Sequence, residues 1–248
     1  MKEIKKLFSE RSSIRRYERE PIPEESLDII YTAIRNTPTS YNGQHFSVID
    51  IDDQSVKEEL YNITNQKQIK TCNRFFVFCV DFHKIEQLAK VKNLRVPPFK
   101  DTLDGIMVGI IDASMAMQSA VIAAELCGLG SCCVGYTRTA APSRIAELLE
   151  LPKGVFVVCG LAVGVPREHP DVKPKLPHDL VFHKNHYNTD DLGERMLDYD
   201  KVITHYNQTR SGGTSDNDWC GHMLDYYHIA LKYQMKDYIV EQGFDIIK

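Results

Sequence analysis

The chain has 248 residues, 43% hydrophobic and 26% charged, which is enough for one large globular domain or two small ones. A net charge of −4, with no long basic run, argues against a nucleic-acid or membrane-surface role. Seven scattered cysteines without a CxxC pair read as reduced, mostly buried thiols of a cytosolic protein, with Cys79, Cys127 and Cys159 in apolar runs.

The opening MKEIKKLFSER is charged throughout and lacks the apolar core of a secretory signal. Residues 2–10 are expected to form a short helix. Residues 24–36 are expected to form a second, punctuated by Pro21 and Pro23, with Leu27, Ile30, Ala33 and Ile34 on its apolar face. NTPTSYNGQ has the composition of a loop. Residues 46–51 read as a strand, 56–63 as a helix, and FFVFCVDF (75–82) as a central strand. Residues 83–104 are Lys-rich and contain prolines, and read as an exposed excursion. Residues 105–130 are the longest apolar run. Asp112, Gln118 and Glu125 interrupt it, which argues against a membrane span. Its apolar residues lie on all sides, so as a helix it is expected to be buried all round. Its small residues, Ala116 and Ala120 among them, would let other backbones approach, and a second subunit is the expected cover. SCCVGY follows as a buried strand or turn. A helix from about 139–141 to 149 carries Pro142 in its first turn, and 155–165 is a second central strand. Residues 166–188 hold four prolines and read as a loop. The tail, 190–248, is expected to hold two helices separated by TRSGGTSDND. One domain over residues 1–248 with a C-terminal extension is the economical reading.

Two clusters suit an anion. RSSIRRY (11–17) sets arginines around two hydroxyls, a donor set that matches phosphate. KPKLP (173–177) holds two lysines at fixed spacing between prolines. Each alone is equally a solvated basic loop. There is no GxGxxG and no GxxxxGK[ST] sequence, so neither a dinucleotide fingerprint nor a P-loop is present. His183 and His186 could share a helix face, but no acidic or cysteine partner stands at metal-ligand spacing, so no metal is expected. No Ser/His/Asp arrangement or isolated carboxylate pair offers nucleophilic or acid–base catalysis. Adjacent cysteines such as Cys132 and Cys133 rarely bridge each other.

In order along the chain stand RSSIRRY, PTSYNGQ, NQKQI before FFVFCVDF, GLGSCCVGY, and VGVPREHPDVKPKLP. Together they resemble the FMN-dependent nitroreductase family over nearly the whole chain. The KPKLP loop and the EQGF near the C-terminus resemble the branch of NADPH-dependent flavin reductases and major oxygen-insensitive nitroreductases. The resemblance implies an α+β fold, with a mostly antiparallel sheet of four or five strands flanked by helices. It also implies an intertwined homodimer whose C-terminal extension, about 190–248, wraps the partner. It would make Arg11, Ser13, Lys173 and Lys175 the holders of the FMN phosphate. Ser12 stands in the same cage where the family often has a basic residue or His, which would leave the cage one donor short. Arg15 would lie near flavin N1 and O2, and Gln66 would bond the flavin or its ribityl chain. Pro38, Thr39, Ser40 and Asn42 would approach from the partner subunit. Cys133, Val134, Gly135 and Tyr136 would run past the ring. Gln44 is followed by His45 and Phe46 where the family often has Pro-Trp, so this loop is expected to pack differently. Arg210, in the loop 207–218, would meet the 2′-phosphate of NADPH, with Asp216 and Asp218 opposing it and Gly212 and Gly213 loosening the loop. The implied activity is electron transfer from NADPH, or NADH, through FMN to nitroaromatic, quinone or flavin acceptors by a ping-pong cycle in the cytoplasm. A flavin-binding module without turnover, a reductive dehalogenase and a flavin-degrading enzyme are the alternatives.

Overall fold

The computed structural model describes residues 2–246. Helix α1 (Lys2–Glu10) is followed by α2 (Glu24–Arg35), strand β1 (Phe46–Ile51), α3 (Gln54–Thr64), α4 (Lys67–Thr71) and β2 (Arg74–Asp81). Then come α5 (His83–Val91), α6 (Leu103–Leu126), β3 (Gly130–Val134), α7 (Tyr136–Thr139), α8 (Pro142–Leu148) and β4 (Val155–Gly164). The chain ends with α9 (His178–Val181), α10 (Leu192–Thr209), α11 (Trp219–Ala230) and α12 (Met235–Glu241). These elements fall into two compact units. One is Ser13–Glu168 with Gln234–Lys248, and the other is Met1–Ser12 with His169–Tyr233.

The larger unit is built on a four-stranded antiparallel sheet in the order β1-β2-β4-β3. The two strands with the longest apolar runs take the centre. Every residue of β4 and all but the first of β2 are buried, because helices and loops cover both faces. On one face Phe75, Val77 and Cys79 pack with Leu60, Ile69 and Ile145. On the other, Phe76 and Phe78 meet Ile30 and Ile34 of α2 and Ala116 and Ala120 of α6. Each fully buried phenylalanine contributes about 1.5–3 kcal/mol relative to exposure. The strands register β2 against β4 with a bulge between Phe78 and Cys79. Gly160 of β4 has to be glycine, because a Cβ there would stand 2.3 Å from the Phe75 ring.

Helix α6 starts where the Thr102 hydroxyl accepts the Gly105 N–H. Among the described residues it is the one helix long and apolar enough to cross a membrane, yet half of its apolar stretch is buried inside the fold. The expectation of burial all round is corrected within the single chain. Ala113, Ala116, Ala120 and Ala124 are fully enclosed, but Leu103, Met107, Ile110, Ile111 and Met115 are exposed along one stripe. Ala116 and Ala120 therefore pack against their own sheet.

Two segments hold helices that the sequence reading did not assign. Residues 83–104 are largely exposed, as expected, but ordered: α5 occupies the first half, with Ala89 its one buried residue, and prolines 97 and 98 limit only the second half. The tail has three helices, not two. Gly243 adopts φ +84° at the end of α12. That turn sends Phe244 into a cluster with Val80, Phe82, Phe156 and Tyr238, where it stands edge-on to Phe156 with centroids 5.0 Å apart.

In the smaller unit, α10 carries the loop of residues 170–177. The Tyr199 hydroxyl donates to the Pro174 carbonyl at 3.2 Å, and the Tyr206 hydroxyl to the Asp171 carbonyl at 3.2 Å. Tyr199 also stands edge-on to Trp219 of α11. Asp200 joins the two helices by accepting the N–H groups of Trp219 and Cys220.

Candidate functional site

The segment 13–18 is laid along the sheet's β3 end by backbone bonds. Ile14 N–H donates to Ser131 O at 3.0 Å and Glu18 N–H to Val165 O at 2.9 Å. Gly130 permits this approach, since a Cβ there would come within 2.7 Å of the Ile14 side chain. Tyr17 is buried, and its hydroxyl donates to Ile14 O at 2.6 Å. Burial, reinforced by Cys132 and Cys72, pushes that phenol far up from its ordinary pKa, so it stays neutral. Glu168 receives the N–H groups of Arg15 (2.6 Å) and Arg16 (3.2 Å). This carboxylate fixes the backbone and leaves the Arg15 guanidinium exposed, with one bond to Ser13 O at 3.3 Å.

Arg15 faces a cleft of about 500 Å3 that Asn65, Lys67 and Gln68 also line. The structure thus brings Arg15 to the segment holding Gln66. Asn65 turns the chain there in the left-handed conformation, φ +55°. Gln66 Oε1 accepts the Gln68 amide at 3.0 Å, which leaves the Gln66 NH2 group to donate elsewhere. Along β3, Cys133 is exposed and Val134 buried, and the space beside Gly135 is open: a Cβ there would meet nothing. Tyr136 is exposed at the start of α7. Cys132 and Cys133 alternate across the strand, the first buried and the second exposed, and none of the seven cysteines forms a disulfide. A side-chain hydrogen bond with Cys133, and then burial, push the Cys159 thiol well up. Burial raises Cys72 and Cys79 to about 12. The three are thiols, not thiolates, at neutral pH.

The PTSYNGQ loop is exposed and contorted. Tyr41, Asn42 and Gln44 have φ of 56°, 54° and 52°, and Tyr41 is 92% exposed. Its anchor is Asp112, fully buried in α6. That carboxylate accepts Ser40 N–H at 2.9 Å and His45 N–H at 3.1 Å, and faces His45 Nδ1 at 3.0 Å. The His45 ring in turn packs on Phe82, with centroids 4.9 Å apart. Thr39 accepts Gln44 N–H, while the Pro38 and Asn42 side chains remain exposed. Sequence reading missed Asp112, His45 and Glu168 as anchors. The available signal was a carboxylate inside an apolar helix, which must find partners if buried.

Arg11 and Ser12 belong to the smaller unit, as do Lys173, Lys175 and Arg210, whereas Ser13 and Arg15 belong to the larger. Arg11 and Ser12 are half-buried and both lysines exposed. The lysines flank Pro174, whose carbonyl Tyr199 holds. Asp171 accepts both the N–H and the hydroxyl of Ser211, and these bonds depress its carboxyl pKa. The loop after α10 makes several hydrogen bonds of its own. Arg210 Nε donates to Gly213 O at 2.6 Å, Asn207 Nδ2 to Asn217 O at 2.7 Å and Gln208 Nε2 to Asp216 at 3.1 Å. Asp218 caps α11. His183 stacks on Tyr187 and accepts Asn188 N–H, outside any helix. Among the described residues no group of three or more His, Cys, Asp or Glu side chains is placed to hold a metal ion.

An antiparallel sheet packed against one long apolar helix, with an arginine- and lysine-lined cleft beside it, defines an α+β protein suited to an anionic ligand. Family comparison makes this specific. Residues 8–165 match the model described as "Nitroreductase family", and residues 173–247 match "Nitroreductase family, C-terminal domain". The chain belongs to the nitroreductase family. It is 34% identical over 254 residues to "FMN reductase [NAD(P)H]" of Bacillus subtilis (strain 168), covering 100% of both chains. It is 33% identical to "CR(VI) reductase" of Pseudomonas sp. (strain G-1), covering 98% of this chain and 99% of that one. Among solved structures it superposes on the NfrA2 protein of B. megaterium with a TM-score of 0.93 and 33% identity, covering 100% of both.

Proposed function

We propose that this protein is an NAD(P)H-dependent, FMN-containing oxidoreductase that passes electrons to nitroaromatic, quinone or flavin acceptors in a ping-pong cycle. The observation that carries the reading is the Arg15 cleft: cationic and amide donors gather around it, in a chain homologous along its whole length to an enzyme named FMN reductase. The donor set fits FMN. Arg11, Ser12, Ser13, Lys173 and Lys175 would hold its phosphate through charge-assisted bonds. Arg15 and Gln66 would meet the polar edge of the ring system, and Cys133, Val134, Gly135 and Tyr136 would line its path. When bound, FMN supplies both the hydride acceptor and the electron donor, so no nucleophile or acid–base pair is required. Arg15, its backbone held by Glu168, would offer its guanidinium to the N1 and O2 edge, where negative charge is to be stabilised. The open space at Gly135 leaves room for a flat substrate.

The working form is a homodimer in the cytoplasm. The exposed stripe of α6 supports this, because so much contiguous apolar surface calls for a cover. In that dimer Pro38, Thr39, Ser40 and Asn42 reach the partner's FMN, and the extension beginning near residue 190 wraps the partner. Arg210 reads the 2′-phosphate of NADPH, with NADH also used. The two guanidinium NH2 groups left after its Nε bond to Gly213 are available for a phosphate, and the kcat/KM ratio of the two nucleotides should fall about tenfold in Arg210→Ala. An unchanged ratio would remove Arg210 from that role.

The purified protein should be yellow, bleach anaerobically on addition of NAD(P)H, and regain colour on addition of a nitrofuran or quinone. A yellow protein that neither nucleotide bleaches is a flavin-binding module, and the enzyme reading fails.

A further inference from the structure

Adjoining the Arg15 cleft, and sharing Tyr17, Thr71 and Arg167 with it, is a larger cavity of about 750 Å3. The segment 17–22, the start of α3, the end of α4 and the first residues of β2 enclose it. Five cationic side chains line it (Arg19, Lys57, Lys70, Arg74 and Arg167) against two carboxylates, Glu18 and Asp52. This is a local excess of positive charge in a chain of net charge −4. Two of these cations are engaged. Arg74 pairs with Asp52 at 3.0 Å and Asp50 at 3.3 Å, and the Lys70 ammonium lies 3.7 Å from the Tyr61 ring centroid.

Lys57 is the telling residue. It is only 5% exposed, and its ammonium donates to Cys72 O at 3.0 Å. It forms no salt bridge among the described residues. Asp53, one turn earlier, feels the Lys57 charge, but it takes the Ser55 and Val56 N–H groups on one oxygen and forms no ion pair with the lysine. An ammonium has three donors, and a buried cation with one hydrogen bond and no direct ion pair is costly. Arg19 and Arg167, both exposed, likewise form no salt bridge among the described residues.

We infer that this cavity is a second anion site, built for a phosphate or pyrophosphate group, with Lys57 at its floor and Arg19 and Arg167 at its mouth. None of Arg11, Ser13, Arg15, Lys173 or Lys175 lines it, so it fills while FMN is bound. Its volume admits more than one phosphate, which makes a nucleotide diphosphate or free pyrophosphate the fitting ligand.

The test is calorimetric titration of the FMN-saturated full-length protein with inorganic pyrophosphate and, separately, with ADP at low ionic strength. Wild type should bind saturably at one site per chain. Lys57→Met should weaken binding about tenfold or more, and Arg19→Ala by at least about threefold, with FMN content unchanged in both. Tighter binding of ADP than of pyrophosphate identifies a nucleotide as the source of the phosphates, and equal binding identifies the inorganic anion; either supports the site. Arg19 lies on the surface, so its variant decides the matter even if Lys57→Met does not fold. Absence of saturable binding, or Arg19→Ala matching wild type, overturns the proposal.

Discussion

At the scale of single residues, the cations of the site stand on backbone held in place by neutral or anionic neighbours. Glu168 spends its carboxylate on the backbone of Arg15 and Arg16, which frees the Arg15 guanidinium for a ligand. Tyr199 does the same for the KPKLP segment by holding Pro174. Immobilising a lysine's backbone before a ligand arrives reduces the ordering cost of binding. Each charge-assisted bond to phosphate contributes about 1.5–3 kcal/mol. Lys175→Ala or Arg11→Ala should therefore raise the FMN dissociation constant about tenfold or more. Equilibrium dialysis of the Lys173→Ala/Lys175→Ala double variant measures this. Full FMN occupancy after dialysis would show that the phosphate is held elsewhere.

Between elements, the decisive tie is Asp112. It couples α6 to the PTSYNGQ loop through two backbone N–H groups and the His45 ring. The loop needs it, because three non-glycine residues at positive φ are costly unless surrounding bonds over-determine them. Asp112→Ala strands the Ser40 and His45 N–H groups, at about 1–3 kcal/mol each. Urea unfolding should show a lower midpoint, and FMN should bind more weakly if the loop serves the partner's site. A variant with the wild-type midpoint and affinity would mean that the loop is held by other contacts. The family's usual Pro-Trp would lack the His45 imidazole that faces this carboxylate, so the departure in sequence has a structural counterpart.

For the whole molecule, the exposed stripe of α6 is the feature a single chain leaves unresolved. Leu103, Met107, Ile110, Ile111 and Met115 repeat at three- and four-residue intervals, the spacing of one helix face. Ile111→Asp should give monomers in sedimentation velocity and a loss of FMN, because the partner's loop is withdrawn. A soluble Ile111→Asp monomer that retains FMN and turns over would refute the shared site. Ala116 and Ala120 are unsuitable for this experiment. Both are fully enclosed against their own sheet, so a charge there would unfold the chain instead of separating subunits.

Composition and pattern alone sufficed for β1, β2, β4, α2 and α6, and the family resemblance added the α+β class. Uninterrupted apolar runs such as FFVFCV and VFVVCGLAV leave a chain few options other than a buried sheet. The ordered succession of RSSIRRY, PTSYNGQ and KPKLP likewise sufficed for the family. Tertiary structure decided the rest. Residues 83–104 read as exposed and are so, but their lysines hid α5, which needs only a narrow apolar face around Ala89 to dock. The last helix carries too short a pattern to be recognised, and Phe244 finds its place only because Gly243 turns the chain back onto β4. Above all, which side of α6 is core and which is surface could not be read from residues apolar in every direction. That was settled by the faces that β2 and α2 present to it, because burial depends on what lies opposite a side chain as well as on the side chain itself.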